Sequence, residues 1–377
     1  MPQIAQLAKN FKVNCWLFIF FHIKPMIKKS YGPVKDGVLL DKYLKEESIE
    51  EDLIWAELLI NSTIKYSKNE SPIHLSFYSL AKNVRLFSSA FALNTILGFR
   101  SYISNEARYG EESFVTSTYG WKSWYPWIWI RNESNLLSSE HESAWNKYFE
   151  IPFEVYDESL IPKWKWRIER LKCLISLKKR HFVYLACLAR VFKINEDSFE
   201  ILSSNLPLNL DKYLSTHIRR GEVVSKLNPE HTWPNLPKLS NQHYLSKITE
   251  LSSYSQCFDV YISSDEEISF TSECSKIKIF ELQTDRRKFY RLNTENIVDL
   301  DSVLGNRIDL IEFYANSSIS DLYYLSRGHC FVGTISHSEF SRLGWELQAI
   351  HHKAFKPFID LGGKAMNLRE SRTMFLI

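Results

Sequence analysis

The stretch "DKYLSTHIRRGE", residues 211–222, decides how the second half of the chain is read. Its first part alternates as a strand does, and it ends on adjacent Arg219 and Arg220, followed by Gly221 and Glu222. Two guanidinium groups at the C-terminal end of a strand predict a place where something anionic is held. The residues C-terminal to it supply the frame. "NQHYLSKITELSSYS" (241–255) has helical spacing, and "FDVYISSDE" (258–266) is a strand with two acids at its end. "KIKIFEL" (276–282) is a third strand, and a helix begins at about Asp309, with a break expected near its serines. "CFVGTIS" (330–336) is a fourth strand, and "EFSRLGWELQAIHH" (339–352) a further helix. Strands alternating with helices imply a parallel sheet wound in the Rossmann manner. Such sheets bind ligands at the carboxyl ends of their strands. The arginine pair, Asp265 with Glu266, and "GTISHS" (333–338) all fall at those ends.

The chain of 377 residues is long enough for two cores, and its apolar (45%) and charged (24%) fractions are those of a folded protein. A net charge of +3, with no basic motif, argues against a nucleic-acid partner. Cys15, Cys173, Cys187, Cys257, Cys274 and Cys330 form no C-x-x-C pair and have no zinc spacing. They read as reduced, buried thiols of a cytosolic protein. Four glycosylation-type triplets, at Asn61, Asn69, Asn132 and Asn316, are what chance supplies in a chain rich in Asn and Ser. The apolar run "WLFIFFHI" (16–23) is too short to span a membrane and reads as buried, with a shallow membrane contact as the alternative.

Residues 1–70 read as an N-terminal helical segment, 71–205 as a first α/β domain and 206–377 as the ligand-binding domain. Helical spacing covers Leu39 to Tyr66, with Leu40, Leu44, Leu53, Ala56, Leu59 and Ile60 as its apolar positions. "IHLSF" (73–77), "SLAKNVRLFSSAFALNTILG" (79–98) and "FRSYIS" (99–104) read as strand, helix and strand. The helix places Leu80, Val84, Phe87 and Phe91 on one face and stops at Gly98. Residues 119–130, "YGWKSWYPWIWI", pack four tryptophans into twelve positions and read as core or interface. From Lys163 a long basic helix is expected to bury Ile168, Leu171, Leu174 and Ile175 against a sheet. Arg167, Lys172, Lys178, Lys179 and Arg180 would then stay wet, and a membrane-surface role is the alternative reading.

A diphosphate needs positive charge and oriented N–H donors. Arg219 and Arg220 supply the first; the hydroxyls of Thr334 and Ser336, with helix N-terminal amides, supply the second. No G-x-G-x-x-G or Walker loop is present, and "DLD" (299–301) matches a metal-binding triplet by spelling alone. In this setting "HIRRGE" (217–222) resembles the H-x-R-R-x-D motif of the alpha-1,6-fucosyltransferases and related O-fucosyltransferases. "VYISSDE" (260–266) is similar to that family's second motif. "SDLYYLSRGHCFVGTISHSEFSRLGWELQ" (320–348) resembles its third, which ends in R-x-x-Y-E.

The resemblance implies a GT-B-like fold, with two Rossmann-like domains facing a cleft. It implies a GDP-fucose donor, a saccharide acceptor, inversion at the anomeric carbon, and no metal or other cofactor. Carried over, Arg219 would hold the β-phosphate, with Arg220 supporting it or paired with Glu222 or Asp265. His217 and Asp321 would contact guanine, and Thr334, Ser336 or Ser338 the diphosphate. Asp265 joins the donor site or caps the next helix. The sequence departs from the family where "HLSFYSLAKN" (74–83) has no glycine, and where Val223 replaces the lysine. The base that takes the acceptor's proton is left among Glu222, Glu230 and His231. Two other readings stay open: a transferase using another GDP-sugar, and a catalytically silent nucleotide- or glycan-binding protein of this fold.

Overall fold

The computed structural model describes residues 34–35, 38–39, 42–73, 80–103, 148–150, 152–155, 159–195, 198, 212–218, 239–264, 268, 276–282, 308–335 and 338–361. Among them the chain is α/β, with seven helices and a sheet of five parallel strands. The N-terminal elements are short strands β1 (Val34–Lys35), β2 (Val38–Leu39), β3 (Lys42–Tyr43) and β4 (Glu47–Ser48), then helix α1 (Glu50–Tyr66). Strand β5 (Glu70–Ile73), helix α2 (Leu80–Leu97) and strand β6 (Arg100–Ile103) follow, with β5 and β6 paired in parallel. Next come α3 (Lys163–Ile175) and α4 (Leu177–Val191). The second half runs β7 (Leu214–Ile218), α5 (Asn241–Ser255), β8 (Asp259–Ser264), β9 (Lys278–Glu281), α6 (Ile308–Leu325), β10 (Cys330–Gly333), α7 (Glu339–His352), β11 (Ala354–Phe355) and β12 (Phe358–Asp360).

The main sheet has the order β3-β12-β10-β7-β8-β9, with β3 antiparallel to β12 and all other pairs parallel. From β7 the chain first winds outward through β8 to β9, then crosses back to place β10 and β12 on the other side. The winding therefore reverses between β7 and β10, the place where α/β sheets open a crevice. All five residues of β7 and all four of β10 are buried, as expected for strands covered on both faces. One face packs Leu214, Ile218, Val260, Ile262 and Val332 against Tyr244, Ile248 and Leu251 of α5. The other carries Tyr261 and Phe331 against α6 and α7, and this core continues into α1, α2 and α4.

Several expectations are corrected. The helix expected from Leu39 begins at Glu50; Lys42–Tyr43 instead adds an edge strand to β12, a long-range pairing that overrides local spacing. The strand expected over 73–77 is Glu70–Ile73 as far as the described residues go. Helix α6 is unbroken: Ser317, Ser318 and Ser320 are buried within it. The long basic helix divides at Ser176, whose hydroxyl accepts the Lys179 N–H (3.3 Å) and caps α4. Helix α3 packs on α1, α2 and α4, not on a sheet, and turns Trp166 and Cys173 inward. Ile168, Leu171 and Ile175, expected to be buried, face solvent.

Other expectations hold. Leu80, Val84, Phe87 and Phe91 are buried together, and α2 ends at Gly98 with a positive φ of 81°. The described cysteines, Cys173, Cys187, Cys257 and Cys330, are free and buried. Asn61 lies fully buried in α1, where Arg190 donates to its side chain, so it is no acceptor for a glycan. The runs at 16–23 and 119–130 lie outside the described residues.

Candidate functional site

The reversal of the winding brings two strand ends together. His217 of β7 and Gly333 of β10 are register partners, and each is the doorway to a segment picked out in the sequence. A Cβ on Gly333 would stand 2.8 Å from the Phe331 ring and 3.3 Å from both the His217 carbonyl and the Ser341 hydroxyl. Glycine there is what allows β10, β7 and α7 to approach so closely. His217 is nearly buried; its Nδ1 lies 2.5 Å from Ser341 Oγ, and its ring is tilted against Phe340 at 5.0 Å. The imidazole is thus fixed on two sides by consecutive residues of α7.

Thr334 follows at once. Its carbonyl accepts the Ser338 N–H (2.7 Å), closing the turn from β10 into α7. Its hydroxyl is buried and has no hydrogen-bond partner among the described residues. A buried hydroxyl without a partner loses its hydration and gains nothing in exchange. Ser338 is the N-cap of α7, accepting the Ser341 N–H at 3.2 Å. One helix start therefore carries three linked tasks: Ser338 caps it, Ser341 holds His217, and the turn presents Thr334.

Asp321 lies one layer deeper. It is fully buried in α6, and its two oxygens accept from the Tyr261 hydroxyl (2.5 Å) and the Ser263 hydroxyl (2.6 Å) of β8. Tyr261 and Ser263 are two apart on one strand and so share a face. The carboxylate ties α6 to β8, and Ser263 is the register partner of His217. In this arrangement Asp321 reaches the strand ends through Ser263.

Farther along α7 the sequence places Arg342 and Glu346 one turn apart, and the fold adds Arg85 from α2 and Tyr184 from α4. Glu346, fully buried, accepts from Arg342 Nε (3.2 Å), Arg85 Nε (3.2 Å) and the Tyr184 hydroxyl (2.8 Å). Arg85 also pairs with Glu339 in the first turn of α7. Burial, and then the neighbouring Arg85 charge, pull the Arg342 guanidinium down to about 10, so it stays charged at neutral pH. Burial acts on Arg85 in the same sense, but Glu346 and Tyr184 outweigh it and hold its pKa above the usual arginine value. Burial, reinforced by Glu346, raises the Tyr184 phenol far above its ordinary range, so it remains a donor.

Of the residues singled out from sequence, His217, Thr334 and Ser338 are brought to one corner, and Asp321 supports it from below. Arg219, Arg220, Glu222, Glu230, Asp265 and Ser336 lie outside the described residues. Ser341, Arg85 and Tyr184 were missed. Only the Arg342–Glu346 spacing within the R-x-x-W-E run hinted at the buried ion cluster, since nothing local marks α2 and α4 as its other walls. Among the described residues no group of three or more His, Cys, Asp or Glu is placed to hold a metal ion. No protein-family model matches this chain, and no curated protein matches it.

Proposed function

We propose that the chain is a glycosyltransferase of GT-B type that moves fucose from GDP-fucose to a glycan acceptor with inversion and without a metal. The single observation that carries this reading is the corner between β7 and β10. There a fixed His217 and the unpartnered Thr334 hydroxyl sit where the sheet's winding reverses, at the entrance to "RRGE" and "ISHS". In this reading the crevice takes the nucleotide diphosphate, and the cleft opens toward the half of the chain that carries α1 to α4.

The roles rest on chemistry. The acceptor oxygen attacks the anomeric carbon from the face opposite GDP; the new C–O bond forms as the bond to the β-phosphate oxygen breaks. Arg219 offsets the charge that builds on the departing phosphate, with Arg220 behind it. Thr334 and Ser336 donate to the diphosphate, and the N-terminus of α7, capped by Ser338, adds its amide dipoles. His217 contacts the base, and Asp321 acts by holding Ser263 in place. Glu222 or Glu230 takes the acceptor proton.

The test is calorimetric titration of GDP and GDP-fucose, without added metal, into the wild type and Arg219→Ala. Micromolar binding by the wild type that is lost in the variant supports the donor site. A folded wild type that binds neither ligand overturns it. Binding of GDP with turnover of a different GDP-sugar keeps the fold and site but replaces the donor.

A further inference from the structure

Helix α3 presents to solvent a face that a folded protein ordinarily hides. Trp164, Ile168, Leu171 and Ile175 are 67%, 44%, 62% and 57% exposed. With about 3.6 residues per turn these four positions fall within an arc of about 60°, a single apolar line along about 17 Å of helix. The opposite side of the same helix is the one that packs: Trp166 and Cys173 are buried, and Trp166 Nε1 donates to Thr63 of α1 at 2.9 Å. Helix α3 is thus anchored by one face and leaves a second, fully formed apolar face outside.

The charges around that line have one sign. Lys163, Lys165, Arg167 and Lys172 are all exposed and flank the stripe on both sides. The helix's one pair of acidic-residue oxygens, on Glu169, is turned inward, where it holds Lys172 (2.7 Å) and Lys179 (3.4 Å). Lys165 and Arg167 make no ion pair among the described residues. Apolar side chains at the centre with long basic side chains at the rims are the arrangement of a helix lying in a lipid interface. The apolar line enters the acyl boundary and the bases reach back to phosphate headgroups. A symmetric contact between two copies would instead set the same bases against each other.

We propose that α3 docks the protein on an anionic membrane surface, lying parallel to it with Trp164, Ile168, Leu171 and Ile175 inserted and Lys165 and Arg167, one on each side of the stripe, at the phosphates. The inference is independent of the nucleotide reading. No helix among the described residues is long and apolar enough to cross a membrane. Attachment through a helix lying in the interface is peripheral, and salt weakens it because the bases act through a screened surface potential.

The test is flotation of the full chain with vesicles of phosphatidylcholine containing roughly a third phosphatidylglycerol, against vesicles of phosphatidylcholine alone. The expected result is binding to the anionic vesicles that falls about tenfold on raising salt to about 0.5 M. Leu171→Ser with Ile175→Ser, and separately Lys165→Glu with Arg167→Glu, should each lower partition about tenfold or more. All four side chains are exposed, so the melting temperature should stay within about 1 °C of the parent in both variants. Equal partition to neutral and anionic vesicles, or partition untouched by either variant, overturns the proposal. Thiol labelling of Leu171→Cys, read by peptide mass, must be fast without vesicles and protected by them. Slow labelling in their absence means that another part of this chain or a second copy covers the face, and also overturns it.

Discussion

Replacing Glu346 by glutamine removes one negative charge and almost no volume from the centre of the buried ion cluster. The amide can still accept from Tyr184 and from one guanidinium, so the effect is electrostatic. Arg85 retains Glu339, but Arg342 has Glu346 as its one ion-pair partner among the described residues and is itself buried. Breaking a buried pair from one side costs about 3–5 kcal/mol, because the remaining charge cannot return to water. Unfolding entropy near the midpoint is about 2.1 cal/mol/K per residue, which for 377 residues is about 0.8 kcal/mol/K. Glu346→Gln should therefore lower the melting temperature by about 4–6 °C, followed by near-ultraviolet circular dichroism. Adding Arg342→Met should recover most of that loss, since the orphaned charge leaves with its partner. A drop of less than about 1 °C, or a double variant no better than the single, would refute the reasoning and mean that Arg342 is hydrated.

Two further outcomes are expected. Burial depresses the His181 pKa from 6.5 to about 4, with the attraction of Glu346 and the repulsion of Arg342 as smaller influences. The unfolded chain then takes up the proton first. Stability is full above about pH 6.5 and declines by up to ~3 kcal/mol as pH falls toward 4. Urea unfolding across that window should show the slope flattened in His181→Phe, which keeps a ring against Phe355 but cannot ionise; an unchanged slope contradicts a buried neutral imidazole. Thr334→Val removes the unpartnered hydroxyl at constant shape. The free protein should gain about 1 kcal/mol while GDP affinity falls about tenfold, read by thermal melts and calorimetry. If both values stay put, the hydroxyl serves no ligand.

The second half of the chain was legible because its elements obey local rules. The helices 241–255 and 339–352 begin at the residues that Ser240 and Ser338 cap, and the strands 259–264 and 330–333, read from sequence within 258–266 and 330–336, are centred on the apolar residues Val260–Ile262 and Cys330–Val332. The strand β12 was missed because Phe358–Asp360 is only three residues long and exists through its partners Phe331, Val332 and Gly333. The buried face of α3 is illegible for a different reason. Spacing identifies two apolar faces on that helix, one through Trp166 and Cys173 and one through Ile168, Leu171 and Ile175, and cannot say which is buried. Burial goes to the face whose polar atoms also find partners. Trp166 has Thr63, and Arg170 on that side donates to the Ile96 carbonyl at 2.9 Å. At the site, residue types near the strand ends were readable from the chain. The Ser341–His217 and Asp321–Ser263 contacts, at separations of 124 and 58 residues, belong to the tertiary fold alone.

Helix α7 is where these separate facts meet. Its first turn fixes His217 through Ser341, its cap and preceding turn present Thr334, and its middle holds Arg85 and Tyr184 through Glu346. A rigid helix cannot shift its N-terminus without moving its centre, and the centre is gripped by buried charges from α2 and α4. Any displacement of the strand-end corner must therefore either stretch hydrogen bonds of about 3 Å to buried guanidinium groups or carry the helical layer with it. The first is expensive in a dry site and the second moves a large packed body. The corner is consequently held near one geometry before any ligand arrives, which is the condition under which oriented donors act on a charged group without first being reorganised.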